Sequence, residues 1–264
     1  MRKLLLLAFV ACLGLVACIE TESNTTVNAD GSGSIVSVID MSQMMDFLAS
    51  QKSDDDKEVV KLDSVIHFKT ISDTAKGFTA RQKELLRPLQ LRMQLNSETN
   101  EMRFTITSPF KKMEEVQELN ELLASNQFDK YFDQAFQLAG LDDKKDESAD
   151  EVKAEESSSN IFGSLFPDYY VWQYKKGQIA CKTDPKKVDA FRQRWNAGND
   201  DDEDARQMVM EMVSFTNRFV IPANAKDVKG EKLEEGSSRK EWIQKGTLLD
   251  LIENPAKYEY SITY

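Results

Sequence analysis

Two serines in this sequence are each followed three residues later by a lysine, the spacing of a serine–lysine nucleophile pair. They are Ser108 with Lys111 and Ser237 with Lys240. In such a pair the neutral lysine takes the proton of the serine hydroxyl, and the oxygen then attacks a carbonyl carbon. Neither pair lies within a larger hydrolase signature, and a chain rich in serine and lysine produces this spacing by chance. We therefore predict no catalytic residue at either pair.

Thiol chemistry is limited by how few cysteines and histidines are present. The chain has three cysteines, Cys12, Cys18 and Cys181, and one histidine, His67. Cys181 and His67 both lie in apolar runs, where a strand or helix edge explains them, and a free cysteine usually behaves as a small buried hydrophobe. We expect neither a cysteine protease nor a Cys/His metal cluster.

Acidic residues at positions 200, 202, 204 and 211 have the spacing of the ligands in a calcium-binding EF-hand loop. The sixth position is Ala205, where such a loop needs glycine for its sharp turn, and the eighth is Gln207 instead of an aliphatic residue. The alternative is an acidic helix N-terminus that the helix dipole favours. We predict that alternative, with no metal and no other cofactor.

The N-terminus has the layout of a secretory signal peptide. Arg2 and Lys3 form a basic start, and residues 4–16 carry no charge. This apolar run is shorter than the roughly 20 residues that a membrane-spanning helix needs. It therefore predicts export of the chain and not a membrane span.

Residues 15–18 read Leu-Val-Ala-Cys and closely resemble the lipobox of bacterial lipoproteins. In that family the signal is cut just before a cysteine that already carries diacylglycerol. The resemblance implies that residues 1–17 are removed and that Cys18 becomes the N-terminal lipid anchor, carrying acyl chains such as palmitate. Each buried methylene of these chains contributes about 0.8 kcal/mol to membrane attachment. Cys181 would then be the only free thiol, which excludes an intrachain disulfide.

The charge of the chain restricts its partners. The net charge is −11 and becomes −13 when Arg2 and Lys3 leave with the signal. Binding to nucleic acid requires a basic surface, and so does electrostatic binding to anionic lipid. We therefore expect contact with the membrane through the N-terminal lipid, and no nucleic-acid partner.

Aromatic residues are densest just before residue 175. In an extended strand Tyr170, Trp172 and Tyr174 point to the same face. Such a row usually belongs to a sheet core or its margin. The functional alternative is a surface that contacts lipid or glycan, and these three residues are our candidate binding surface.

Alternating apolar residues around tight turns predict three β-hairpins and, after them, a closing strand. The hairpins span residues 25–39, 89–106 and 169–182, and we expect Pro109 to end the second one. The closing strand, residues 258–264, has no hairpin partner of its own and most simply pairs with an earlier strand.

Apolar residues at helical spacing predict the helices. We place helices at 41–50, 113–123, 128–138, 185–195 and just after 204, and further strands at 214–221 and 239–246. Hairpins with helices between them predict an α+β fold, with an antiparallel sheet built from the hairpins and helices packed on it.

Residues 141–160 contain eight acidic residues and three lysines and offer almost nothing to bury. So little apolar area does not offset the entropy of ordering the backbone. We predict a disordered acidic insertion within one mature α+β domain, residues 18–264. The alternative is a linker between two independent domains.

Three further segments carry a wider resemblance: residues 26–33, 215–222 and 248–255. With them, the mature chain resembles a family of Bacteroidetes-type lipoproteins of unassigned role and, more distantly, the LppM-type lipoprotein domain of mycobacteria. The resemblance implies an envelope lipoprotein with an α+β fold and no catalytic residues. In the mycobacterial relatives a role in handling envelope lipids is suspected, but their pattern lacks the acidic segment 141–160.

The predicted function is that of a non-enzymatic lipoprotein of the bacterial cell envelope that binds a lipid or another envelope component. The alternative is a structural or assembly subunit that contacts another envelope protein. In lipoproteins of bacteria with two membranes, an aspartate after the lipidated cysteine tends to retain the protein in the inner membrane. Here Ile19 follows Cys18, so we predict the outer membrane.

Overall fold

The structure is a computed structural model that describes residues 19–43, 60–123, 170–196 and 211–264, together with Met45, Ser125 and Phe128. Several predicted features lie outside the described residues. They are the signal peptide with Cys18, most of the helices at 41–50 and 128–138, the acidic segment 141–160, and the acidic run 200–204 with the helix after it.

Within the described ranges the chain alternates short helices with strands of up to ten residues. In chain order these are β1 (Ile19–Val27), β2 (Gly33–Asp40), β3 (Lys61–His67), α1 (Phe68–Thr74), α2 (Ala80–Leu86), β4 (Gln90–Asn96), β5 (Glu101–Phe110), α3 (Glu114–Leu123), β6 (Tyr170–Lys175), β7 (Gln178–Thr183), α4 (Pro185–Asn196), β8 (Val213–Val220), β9 (Asp227–Lys229), β10 (Leu233–Glu235), β11 (Glu241–Thr247), α5 (Leu248–Glu253), a 3₁₀ turn (Pro255–Tyr258) and β12 (Tyr260–Thr263). This is an α+β fold, as the sequence predicted.

The strands form two sheets. The large sheet has the order β10-β11-β8-β1-β2-β5-β4-β3, and the small sheet has the order β6-β7-β12-β9. The closing strand β12 pairs with β7, with Tyr260 opposite Cys181, which confirms that it joins an earlier strand.

One pairing in the large sheet differs from the predicted antiparallel arrangement. β1 and β8 run parallel, with Ile19 opposite Val213, whereas the other pairs are antiparallel. A tight turn joins only antiparallel strands, and a parallel pair needs a long connection. β8 meets this condition because most of the chain separates it from β1. The large sheet therefore contains strands from both sides of segment 141–160, which an insertion in one domain requires.

The three predicted hairpins are present as β1–β2, β4–β5 and β6–β7. In the first turn Gly31 has a φ of +85°, a conformation that favours glycine. Asp30 supports this turn by accepting a hydrogen bond from the backbone N–H of Ser32 at 3.0 Å.

The β4–β5 pairing of the second hairpin ends at Thr107, before Pro109, but Pro109 does not end the strand, contrary to the prediction, because β5 continues to Phe110. β4 begins opposite Thr107, so beyond that point β5 pairs only with β2, where Pro109 lies opposite Ser34. A strand with one paired neighbour tolerates the missing N–H of proline.

Two predicted helices are confirmed as α3 and α4. Asp184 caps α4, since its Oδ1 accepts a hydrogen bond from the backbone N–H of Lys186 at 2.9 Å. Pro185 follows at the first helical position, where its lack of an N–H is harmless. The prediction omitted the short helices α1, α2 and α5.

In the described part of the chain, one face of the large sheet is buried and the other carries polar side chains. Phe104 and Ile106 of β5 and Ile35 and Ile39 of β2 point to this inner face, which the small sheet and the helices cover. The outer face carries ion pairs, such as Arg92 with Asp63 at 2.7 Å. An antiparallel sheet with one solvated face has this alternation of apolar and polar side chains.

Candidate functional site

The aromatic row of β6 lies between the two sheets. Tyr170 is buried, and Trp172 and Tyr174 are half-buried. Trp172 is within 6.0 Å, between ring centroids, of both Phe219 on the large sheet and Tyr260 on the small one. Aromatic rings with centroids 4.5–7 Å apart interact favourably, so these two contacts link the two sheets.

The backbone of Trp172 is also hydrogen-bonded to a neighbouring helix. β6 is an edge strand, and the N–H of Trp172 donates to Oε1 of Gln117 in α3 at 2.8 Å. The amide nitrogen of Gln117 donates to Glu121 at 2.8 Å, and Glu121 accepts from Lys187 of α4 at 3.2 Å. This chain of polar contacts fixes the aromatic row relative to two helices.

A cavity of about 130 Å³, partly open to solvent, lies between the inner face of the large sheet and the elements that cover it. Its walls are mainly apolar, and β6, α3 and α5 cover it. Apolar and aromatic residues lining it are Ile35, Ile39, Val116, Leu123, Tyr170, Trp172, Val213, Phe215, Phe219, Leu248 and Leu251. Two of the three candidate surface residues, Tyr170 and Trp172, therefore line this cavity. Tyr174 is not among the lining residues and stacks on Trp172 with ring centroids 6.2 Å apart.

A row of four polar side chains crosses the inner face of the sheet. Ser37 of β2 lies opposite Ser23 of β1, Ser23 opposite Asn217 of β8, and Asn217 opposite Gln244 of β11. Directly opposed residues have Cβ atoms about 5 Å apart, so the four form a continuous line. We call these residues the polar row, and all of them except Gln244 line the cavity.

The polar row is satisfied at one end only. Gln244 is buried; its amide nitrogen donates to the carbonyl of Tyr258 at 2.9 Å, and its Oε1 accepts from Nδ2 of Asn217 at 3.4 Å. Ser23 and Ser37 are half-buried, and their hydroxyls make no hydrogen bond to the described residues. Two hydroxyls and the Oδ1 of Asn217 are therefore available to a bound molecule.

No protein-family model, curated protein or solved structure matches this chain. The functional conclusion therefore depends on the residues and on the cavity itself.

The cavity contains little charge. Glu22 is the one charged residue among the described residues of its lining, but its side chain points to the outer face of the sheet, where Oε1 lies 3.9 Å from Nε of Arg218. Arg218 also pairs with Glu241. The described part of the lining thus has no cation that would neutralise a buried anion.

The serine–lysine spacings do not form nucleophile pairs. Ser108 is buried and lines the cavity, while Nζ of the exposed Lys111 pairs with Glu84 at 3.2 Å. Ser237 uses its hydroxyl to donate to Glu241. Neither serine therefore has a lysine in place to accept its proton.

Cys181 is a buried strand residue, as predicted, with only 2% of its surface exposed. Burial raises the pKa of its thiol well above the usual range, so the thiol stays protonated. His67 is exposed at the junction of β3 and α1. Neither residue lines the cavity.

In the part of the chain that the structure describes, no three His, Cys, Asp or Glu side chains are grouped as a metal site would require. Over the same residues, none of the helices has the length and apolar character needed to span a bilayer.

A second depression, of about 430 Å³, lies on the small sheet and is wider and more open. Lys175, Lys182 and Lys229 border it together with Glu259. It has no apolar walls comparable to those of the first cavity, which is therefore the better candidate for a binding site.

The polar row was not predicted from the sequence. A signal was present in β2, where Ser37 stands between Ile35 and Ile39 at the alternating positions that point inward. A small polar residue within an inward apolar series marks a position where the core is interrupted. The partners of Ser37 could not be read in the same way, because they lie on other strands.

Proposed function

We propose that this chain is a non-enzymatic lipoprotein of the cell envelope that binds a lipid or another envelope component in the cavity between its two sheets. Cys18 is the proposed anchor and the outer membrane the proposed location. The resemblance of residues 15–18 to a lipobox supports the anchor.

The observation that carries the proposal is a cavity whose walls are apolar and whose floor has unpaired hydroxyls. Protein interiors are close-packed, with few voids larger than a water molecule. A volume of about 130 Å³ is close to that of an engineered cavity of about 150 Å³ that binds benzene. The cavity is therefore large enough for one apolar group of a ligand, such as part of an acyl chain.

The start of β1 supports a site close to the membrane. Ile19 directly follows Cys18 in the sequence and is the first residue of β1, a central strand of the large sheet. Thr21, which lines the cavity, is three residues from Cys18, or about 10 Å along an extended strand. A protein anchored at Cys18 would thus hold its cavity near the bilayer, where envelope lipids are available.

The proposal is tested by purifying the full protein from its own host and recording its native mass and its N-terminal peptide. We expect an acylated Cys18 and a co-purifying small amphipathic molecule. An unmodified N-terminus at another residue would contradict the anchor. A mass without ligand, together with failure to take up any added lipid, would contradict the binding function.

One feature favours the alternative of a subunit that contacts another envelope protein. Among the described strands β3 is at an edge of the large sheet, and Val65 on it is 49% exposed. Unpaired strand edges are sites where another chain can add a strand. A stable protein partner in the same purification, with an empty cavity, would support this alternative.

A further inference from the structure

The polar row occupies an unusual place in the fold. It crosses the middle of a buried sheet face, between two rows that are mostly apolar. On one side lie Phe219, Thr25 and Ile35, and on the other Phe215, Thr21 and Ile39. Ser23, Ser37 and Asn217 are half-buried and line the cavity, and apolar residues in the same positions would bury more apolar area against the covering elements.

The unpaired polar groups of the row determine which chemical groups of a ligand can bind there. The Gln244 amide holds Asn217 from one side, which leaves Oδ1 of Asn217 as an acceptor. The hydroxyls of Ser23 and Ser37 can each donate and accept. A group that fits this set both accepts and donates hydrogen bonds, as hydroxyls and amides do, or accepts two, as esters do.

The charges around the cavity exclude an anionic group at this position. A carboxylate or phosphate buried without a counter-charge pays a large desolvation cost. Among the described residues that line the cavity no side chain carries a positive charge, and the one charged residue, Glu22, lies between the inward-facing Thr21 and Ser23 and points its carboxylate to the outer face. An uncharged polar group avoids this desolvation cost.

We propose that the cavity binds an uncharged amphiphile, an alkyl chain carrying a hydroxyl, ester or amide, whose polar group bonds to Ser23, Ser37 and Asn217. The alkyl part contacts the aromatic and aliphatic walls, including Trp172 and Phe215. This inference rests on the proposed binding function and specifies the class of ligand.

The test uses three probes with the same twelve-carbon chain: 1-monolauroylglycerol, laurate and dodecyl phosphate. Each is titrated below its micellar concentration at pH 8 into the full chain carrying Cys18→Ser, which has no acyl anchor. Binding is measured by calorimetry and native mass spectrometry. We expect the glycerol ester to bind at least about tenfold more tightly than either anion.

Two variants assign this preference to the polar row. Ser23→Ala and Ser37→Ala should each weaken binding of the ester about 2- to 10-fold, the effect of losing one hydrogen bond. Ser34→Ala is the matched control, because Ser34 lies on the same strand as Ser37 but on the opposite face. It should leave the affinity unchanged.

The outcomes separate this inference from the function on which it rests. Equal or tighter binding of laurate or dodecyl phosphate would overturn the uncharged ligand and leave lipid binding intact. A preference for the ester that survives both serine substitutions would overturn the role of the row. Binding of none of the three probes would overturn the inference and also contradict the proposed function.

Discussion

The backbone N–H of Trp172 donates to the side-chain oxygen of Gln117 at 2.8 Å. This bond satisfies an edge-strand N–H that would otherwise need water. It also joins β6, which carries the aromatic wall of the cavity, to α3, which covers the cavity through Val116 and Leu123. The position of the wall therefore depends on a side chain of the neighbouring helix.

Gln117→Met should loosen this wall. Methionine keeps a similar size but removes the strong acceptor, so we expect a loss of about 1 kcal/mol in the free energy of unfolding. The emission of Trp172 should shift to longer wavelength as water enters. Urea unfolding and fluorescence measure the two effects, with Gln90→Met, at an exposed position in β4, as control. A red shift that persists in a Trp172→Phe background would show that another tryptophan is responsible.

Gly246→Ala should destabilise the fold by collision with Tyr258. A Cβ atom at Gly246 would lie 2.2 Å from the phenol oxygen of Tyr258, which is fully buried. Overpacking of this kind typically costs about 1–3 kcal/mol. In a Tyr258→Phe background the same substitution should cost less, because the colliding oxygen is absent. A double-mutant cycle by urea unfolding tests this coupling, and equal costs in both backgrounds would contradict it.

Glu241 should make stability depend on pH in the acid range. Hydrogen bonds from the Ser237 hydroxyl, the Ser237 backbone N–H and the Arg218 guanidinium lower its pKa to about 2, from a model-peptide value near 4.5. A carboxyl with a lowered folded-state pKa stabilises the fold above its unfolded pKa, and this contribution is lost as the pH falls from about 4.5 towards 2. Glu241→Gln should therefore flatten the decline of stability over this window. Unfolding curves at several pH values test this, with the exposed Glu234→Gln as control.

Ser37→Val, which fills part of the cavity floor, should stabilise the protein and weaken ligand binding. Ser37→Val replaces an unpaired hydroxyl with two methyl groups on the buried face, and each buried methyl or methylene contributes about 0.8 kcal/mol. We expect a more stable protein, by about 1 kcal/mol, that binds 1-monolauroylglycerol more weakly. Ser34→Val on the outer face is the control. A Ser37→Val protein that is less stable would indicate that the site has no room for the added methyl groups.

Protease cleavage within residues 141–160 should leave two fragments that stay associated. β1 from the first fragment and β8 from the second pair from Ile19 with Val213 to Thr26 with Val220. Because this pairing lies in the centre of the large sheet, the fragments should elute together from a sizing column and melt in one transition. Separation of the fragments would contradict the single domain of residues 18–264.

Some elements were predictable from the sequence because their signals are local. The turn at Asp30-Gly31 and the cap of α4 at Asp184 each depend on residues adjacent in the chain. A similar signal was present for α2, where Thr79 and Gln82 form a capping box. Its helix has only seven residues, too few for a clear apolar period, and the prediction omitted it.

The sequence alone determined the class of the fold, the hairpins and the alternation that places Tyr170, Trp172 and Tyr174 on one face, because each of these depends on spacing along one segment. Only the tertiary structure decided that Trp172 faces Phe219 and that β8 adds to β1 in parallel. It also decided that Ser37, Ser23 and Asn217 form one row, although almost two hundred residues separate Ser23 from Asn217. Strand order and register bring such residues together. Both follow from the burial of whole sheet faces, which involves strands from distant parts of the chain and is not encoded in any single segment.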